Sequence, residues 1–143
     1  MRVKSFAAST TIDASPEDIW AILTDAAAYP TWNTTVSSVD GRIARGETVT
    51  VHAVIAPGRA FPVKVVAFDA PRRMVWSSAM PLGLFKGERV FELRPENGRV
   101  TFSMREDYTG AMAGLIAKSI PDLQPAFAEF AACLKARAER GAR

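Results

Sequence analysis

The sequence predicts an α+β fold, an antiparallel sheet with helices segregated to one side of it. Three observations lead there. From about residue 36 to 109 apolar residues recur with a period of two, and turn residues interrupt them every 8–15 residues, as in an antiparallel meander. From residue 116 to 134 the period lengthens: Ile116, Ile120, Leu123, Phe127, Phe130 and Leu134 are spaced 4, 3, 4, 3, 4, which places one apolar stripe on a long helix. Ahead of the meander stands a helix start, Ser15-Pro16-Glu17-Asp18. Strands in one block with helices outside it make an α+β architecture.

Each element follows from local chemistry. Residues 3–12 read as a strand. Ser15 caps the next helix, Pro16 suits its first position, and Asp18 sits where the helix dipole favours an acid. Ile19, Trp20, Ile22 and Leu23 form its apolar side to about Asp25. Residues 26–33 predict a second short helix or turn, broken near Pro30. In the meander, Val49, Val51, Ala53 and Ile55 share one face, and Thr48, Thr50 and His52 the other. After a turn at Pro57-Gly58, Phe61, Val63, Val65 and Ala67 point inward with Lys64 opposite. The chain turns at Asp69–Arg72, continues through Met74, Trp76, Ser78 and Met80, and turns again at Pro81-Leu82-Gly83. Phe85, Arg89, Phe91 and Leu93 follow, then a turn at Pro95–Gly98, then Val100, Phe102, Met104, Glu106 and Tyr108. Pro121 and Pro125 interrupt the final helical stripe, so a kink or restart is expected near Pro121.

Composition bounds the function. With 143 residues, 48% hydrophobic and 23% charged, the chain is expected to form one globular domain over 1–143. MRVKSF lacks the apolar core of an export signal, and no run nears the ~18 apolar residues of a membrane span, so a soluble cytoplasmic protein without stable membrane insertion is expected. The lone Cys133 and lone His52 exclude a disulfide framework and a Cys/His zinc site. No phosphate loop, nucleophile elbow or metal motif is present, and no metal or cofactor is expected. The net charge of +3 is scattered, except for Lys135, Arg137, Arg140 and Arg143, which alternate with Ala and Glu139 as a solvated helix end. Without an aromatic-interleaved basic stripe, nucleic acid is not an expected partner.

Several local motifs, in order, resemble the START-like (SRPBCC) superfamily and its polyketide cyclase/dehydrase and lipid-transport group. They are Ser15-Pro16-Glu17-Asp18-Ile19-Trp20, Tyr29-Pro30-x-Trp32-Asn33, Pro71-Arg72-Arg73-Met74-Val75-Trp76, Gly83-Leu84-Phe85-Lys86-Gly87-Glu88, Phe91-x-Leu93-x-Pro95 and Glu106-x-Tyr108-x-Gly110. The resemblance implies a helix-grip fold, with a curved antiparallel sheet of about six to seven strands around a long C-terminal helix and two short helices between strands 1 and 2. It also implies an elongated cavity between sheet and helix that takes hydrophobic or amphipathic small molecules. Members of the group include cyclases, lipid carriers and an activator of a chaperone ATPase, and no catalytic residue is common to all.

The chemistry must therefore come from this chain's inward residues. If Arg94 pairs with Arg99, then Leu93 faces Val100, Phe91 faces Phe102 and Gly87 faces Glu106, while Glu88 meets Arg105 on the polar outer face. This parity puts Arg89 and Glu106 among the apolar residues as diagonal neighbours, and extended to the preceding strand it sets Trp76 opposite Arg89 for a cation–π contact. Trp76, Arg89, Glu106 and Tyr108 form a polar cluster that orients one end of a ligand, or Arg89 and Glu106 are a structural ion pair at the rim, or a slipped register exposes both. Trp32 lines the cavity mouth or packs the short helices. The expected ligand-facing set is Trp32, Val51, Val65, Trp76, Arg89, Phe91, Phe102, Met104, Glu106, Tyr108, Met112, Ile116 and Ile120. His52 points outward without an evident carboxylate partner, and Cys133 is expected to be a buried inert thiol.

The leading function is the binding of a hydrophobic or amphipathic small molecule by a monomer or weak homodimer. The first alternative is a cyclase/aromatase-like enzyme, with Glu106 or Tyr108 as acid/base and Arg89 stabilising negative charge. A partner-regulating protein is the second alternative. The scarcity of acid–base groups in the cavity favours binding over catalysis.

Overall fold

Alternating apolar residues build seven strands in a computed structural model, which describes residues 4–140. They are β1 (Lys4–Ile12), β2 (Val36–Asp40), β3 (Thr48–Ala53), β4 (Phe61–Asp69), β5 (Arg73–Ala79), β6 (Lys86–Glu96) and β7 (Arg99–Thr109). All neighbours are antiparallel, in the order β1-β7-β6-β5-β4-β3-β2. The sheet curls into a half-barrel against the C-terminal helix, the predicted α+β helix-grip arrangement. Val3 and Arg143, which the sequence reading assigned to the first strand and the basic tail, lie outside the described residues.

The connection from β1 to β2 holds α1 (Pro16–Leu23), a 3-10 turn over Ala26–Ala28 and α2 (Tyr29–Trp32). Ser15 caps α1 as expected, its Oγ accepting from the Asp18 amide at 3.1 Å. Pro30 does not break the second helix. It occupies the first turn of α2, where a missing N–H costs no helical hydrogen bond. Near Pro121 the chain restarts, and the predicted single stripe divides between α3 (Ala113–Ala117) and α4 (Gln124–Glu139).

Phe127, Phe130, Ala131, Leu134 and Ala138 form the buried face of α4. The helix also shields the free edge of β1, which would otherwise offer unpaired backbone groups. The Gln124 side chain donates to Ala7 O at 2.5 Å and accepts from Ala7 N at 3.2 Å, and Lys135 Nζ donates to Thr11 O at 2.6 Å.

The β6–β7 hairpin corrects the expected register. Glu96 pairs with Arg99 around a two-residue Asn97-Gly98 turn, with φ of 51° and 80°. Leu93 therefore faces Phe102, Phe91 faces Met104, and Gly87 faces Tyr108. The slip is two residues, so every side chain keeps its predicted face. The expected Glu88–Arg105 pair is replaced by Lys86–Glu88 and Arg105–Asp107, both at 3.1 Å, because Glu88 now opposes Asp107. In β4 an irregularity between Val65 and Ala67 shifts the alternation, so that Phe68, paired with Met74, packs on Trp20 at 5.3 Å. Ile55 and Met80, predicted inward, are exposed beyond the ends of β3 and β5.

Two lone reactive residues also differ from expectation. His52 does have a carboxylate partner: β2 runs beside β3 and brings Asp40 Oδ2 to 3.0 Å of His52 Nε2. Cys133 is half-buried, with its Sγ 3.5 Å from Thr34 Oγ1.

Candidate functional site

Between the inner face of the sheet and the α3–α4 region lies a cavity of about 340 Å³, within the ~300–1,000 Å³ of small-molecule sites. Val51, Val63, Trp76 and Met104 line it from the sheet, and Ile116, Ile120, Leu123, Phe127 and Phe130 from the helical side. Ile55 and Phe61, both exposed, line it from the β3–β4 end. The packed half of the core lies beyond Phe130, whose ring meets Tyr29, Trp32, Phe91 and Phe102 at 5.7–6.2 Å between centroids.

The polar groups of this cavity are products of the β6–β7 register. Arg89 directly opposes Glu106, where a diagonal relation was expected, and Arg89 Nε donates to Glu106 Oε1 at 2.7 Å. Tyr108, two residues on and on the same face, donates its hydroxyl to Glu106 Oε2. Gly87 makes room for the Tyr108 ring, since a Cβ there would lie 3.1 Å from Tyr108 Cε1. Phe85 stacks on that ring, at 5.7 Å and 20°. The pair is largely shielded, with side-chain exposures of 22% for Arg89 and 14% for Glu106.

Trp76 stands opposite Arg89 as expected, but the cation–π partner is another ring. The Arg89 guanidinium lies 4.7 Å from the centre of Phe127, while Trp76 packs edge-on against Phe91 at 4.9 Å. Trp76 is 4% exposed and its Nε1 has no hydrogen-bond partner. Burial pushes the Tyr108 hydroxyl far above the ordinary tyrosine range, and the Glu106 charge and hydrogen bond push it further, against a smaller opposing pull from Arg89. Tyr108 therefore keeps its proton and acts as a donor.

Of the residues expected to face a ligand, Val51, Trp76, Arg89, Met104, Glu106, Tyr108, Ile116 and Ile120 line the cavity. Five do not. Phe91 and Phe102 are fully buried around Phe130, and Trp32 packs α2 into the same cluster, 4.8 Å from Tyr29. Val65 is fully buried beside the β4 irregularity, its amide donating to Glu47 O at 2.9 Å. Met112 precedes α3 and is 38% exposed, because the helix begins only at Ala113 and does not carry the predicted stripe back to it. Phe127, Gly87 and Phe85 were missed. Phe127 was legible only as a member of the stripe, and the roles of Gly87 and Phe85 depend on a ring on the neighbouring strand.

Among the described residues no group of three or more His, Cys, Asp and Glu side chains is placed to hold a metal ion, and no helix is long and apolar enough to cross a membrane.

Known structures share the fold. The Zhui aromatase/cyclase from a Streptomyces species superposes with a TM-score of 0.74 at 13% identity, over 98% of this chain and 96% of that one. A START superfamily protein from Mycobacterium smegmatis gives 0.67 at 19% identity, over 95% and 97%. The Aha1 dimer from Colwellia psychrerythraea gives 0.72 at 20% identity, over 99% and 100%. No protein of curated function matches by sequence. A family model, however, matches residues 4–139, nearly all of the described chain, and the protein belongs to the polyketide cyclase / dehydrase and lipid transport family, with a START-like fold.

Proposed function

We propose that the protein binds an apolar small molecule in the cavity between sheet and α4, with Arg89, Glu106, Tyr108 and Trp76 orienting its single polar end. The observation that carries this reading is an ion pair of 2.7 Å set in the wall of a mostly apolar cavity, whose other polar lining residues are Thr35, Ser78, Ser119 and, exposed at the β3–β4 end, Arg59. Apolar pockets with a few convergent polar groups are the usual form of a small-molecule site. Val51, Met104, Ile116 and Ile120 supply the apolar wall, and Ile55 and Phe61 the mouth.

The polar cluster supports binding over turnover. Each Glu106 oxygen already accepts a bond from the protein and Tyr108 holds its proton, an arrangement better suited to holding a ligand than to exchanging protons with it. Native mass spectrometry of the purified protein, followed by titration with the neutral naphthyl ketone dye prodan, tests the reading. A co-purified small molecule released on denaturation, or saturable prodan binding weakened by Arg89→Met, is the expected result. A protein that carries nothing and leaves prodan unbound overturns it.

A further inference from the structure

Resting on the binding reading above, we propose that the buried polar end of the ligand is an uncharged hydrogen-bond acceptor, a ketone, ester or amide carbonyl, and not a carboxylate or an amine. An imbalance of polar atoms around the cavity points there. The acceptors are engaged: Glu106 Oε1 takes Arg89 Nε and Oε2 takes the Tyr108 hydroxyl. Donors are left over. Trp76 lines the cavity, and its buried Nε1 has no partner. Neither Nη of Arg89 has a hydrogen-bond partner among the described residues, because the contact with Glu106 runs through Nε alone. The Phe127 ring, 4.7 Å from the guanidinium carbon, holds that group against the helical wall.

A buried donor without an acceptor carries a desolvation penalty that a bound acceptor relieves. A ligand oxygen with lone pairs meets two kinds of unmet donor here. A ligand N–H meets carboxylate oxygens that each already accept one bond, beside the Arg89 cation.

Charge completes the selection. Arg89 and Glu106 balance each other, so the cluster is neutral as it stands; the other charged lining residue, Arg59, is exposed over the Phe61 ring at the mouth, where water screens it. A carboxylate would bring a second negative charge beside Glu106 in apolar surroundings, and an ammonium a second positive charge beside Arg89. A carbonyl uses the same donors without adding charge.

The test is isothermal titration calorimetry on the intact protein with four naphthalenes: the parent hydrocarbon and its 2-acetyl, 2-carboxylate and 2-aminomethyl derivatives. The ketone is expected to bind at least about tenfold more tightly than each of the other three, the step that one hydrogen bond from a charged or desolvated donor supplies. In Trp76→Phe and in Arg89→Met, each shown folded by circular dichroism, the ratio of ketone to hydrocarbon affinity should fall to about threefold or less. A wild-type protein that binds the carboxylate or the amine as tightly as the ketone overturns this inference and leaves the binding reading standing. A ketone advantage that survives in full in both variants overturns it too, since the donors would then lie elsewhere. If none of the four binds, the binding reading falls and this inference with it.

Discussion

The Arg89–Glu106 pair lends itself to a quantitative test. Breaking a fully buried ion pair by removing one partner costs about 3–5 kcal/mol, while exposed pairs are worth about 0–1 kcal/mol. The two side chains are 22% and 14% exposed and 2.7 Å apart, close to the buried limit but with the cavity open on one side. Either Arg89→Met or Glu106→Gln should therefore cost about 2–3 kcal/mol, which for a chain of 143 residues lowers Tm by about 7–10 °C. Glu106→Gln retains an oxygen for the Tyr108 hydroxyl and orphans mainly the arginine. Arg89→Met also loses the Phe127 contact, but that loss occurs in the single and the double variant alike and cancels in the cycle. The double variant orphans no charge, so it should be more stable than the sum of the singles allows, with a coupling of about 1–2 kcal/mol. Urea unfolding of the four proteins at neutral pH measures it. Additivity within about 0.5 kcal/mol refutes the interaction.

Three further outcomes follow from the packing. Phe130→Ala empties the space between the Phe91, Phe102, Trp32 and Tyr29 rings and should cost about 4 kcal/mol by urea unfolding; a loss under 2 kcal/mol contradicts the assigned core. Gly110→Ala puts a Cβ 2.7 Å from Leu84 O at a φ of 117° and should cost about 2 kcal/mol or more, against about 1 kcal/mol for Gly98→Ala, where φ is 80° but no atom lies within 4 Å; equal costs count against the close approach of β7 to the β5–β6 loop. Burial is the main cause lifting both tyrosines of the chain, Tyr29 and Tyr108, far above the usual range, so the folded state holds their protons and stability falls as pH rises past about 10, where unfolded tyrosines ionise. Tyrosinate absorbance at about 295 nm should then appear only together with loss of the far-UV signal, and an ionisation step near pH 10 in folded protein refutes it.

What the sequence revealed and what it hid separate along physical lines. Side-chain parity was legible because a strand's alternation is local, and it marked Arg89 and Glu106 as charges among apolar residues before any partner was known. Register was not. Asn97-Gly98 and Pro95–Gly98 are both plausible turns by composition, and only pairing along the whole hairpin separates them by two residues. The β4 irregularity was hidden for a related reason, since Val65, Val66, Ala67 and Phe68 offer apolar residues to either parity. The helical stripe misled at Met112 because a 3.6-residue spacing continues in the letters back past Ala113, where the helix does not. Asp40 beside His52, and Gly87 beneath the Tyr108 ring, depend on strand neighbours and carry no sequence signal of their own.

The position of the ion pair within the molecule bears on its meaning. Along α4 the sheet–helix interface has two halves. Around Phe130 it is closed by aromatic rings with no charge among them. Around Phe127 it opens into the cavity, which Ser119, Ile120, Pro121 and Leu123 line from the α3–α4 connection and the small Gly87 and Ser78 from the strands. Arg89 and Glu106 stand in the open half. A buried ion pair is a poor source of stability, and apolar residues of similar size in its place are often neutral or stabilising by about 1–4 kcal/mol. A pair kept only to hold the fold would be no more useful here than two leucines. It has a second use in this half alone, where its unpaired donor atoms border empty space, and that coincidence of open volume with unmet hydrogen-bonding capacity is the physical reason to look for a ligand there rather than a structural role.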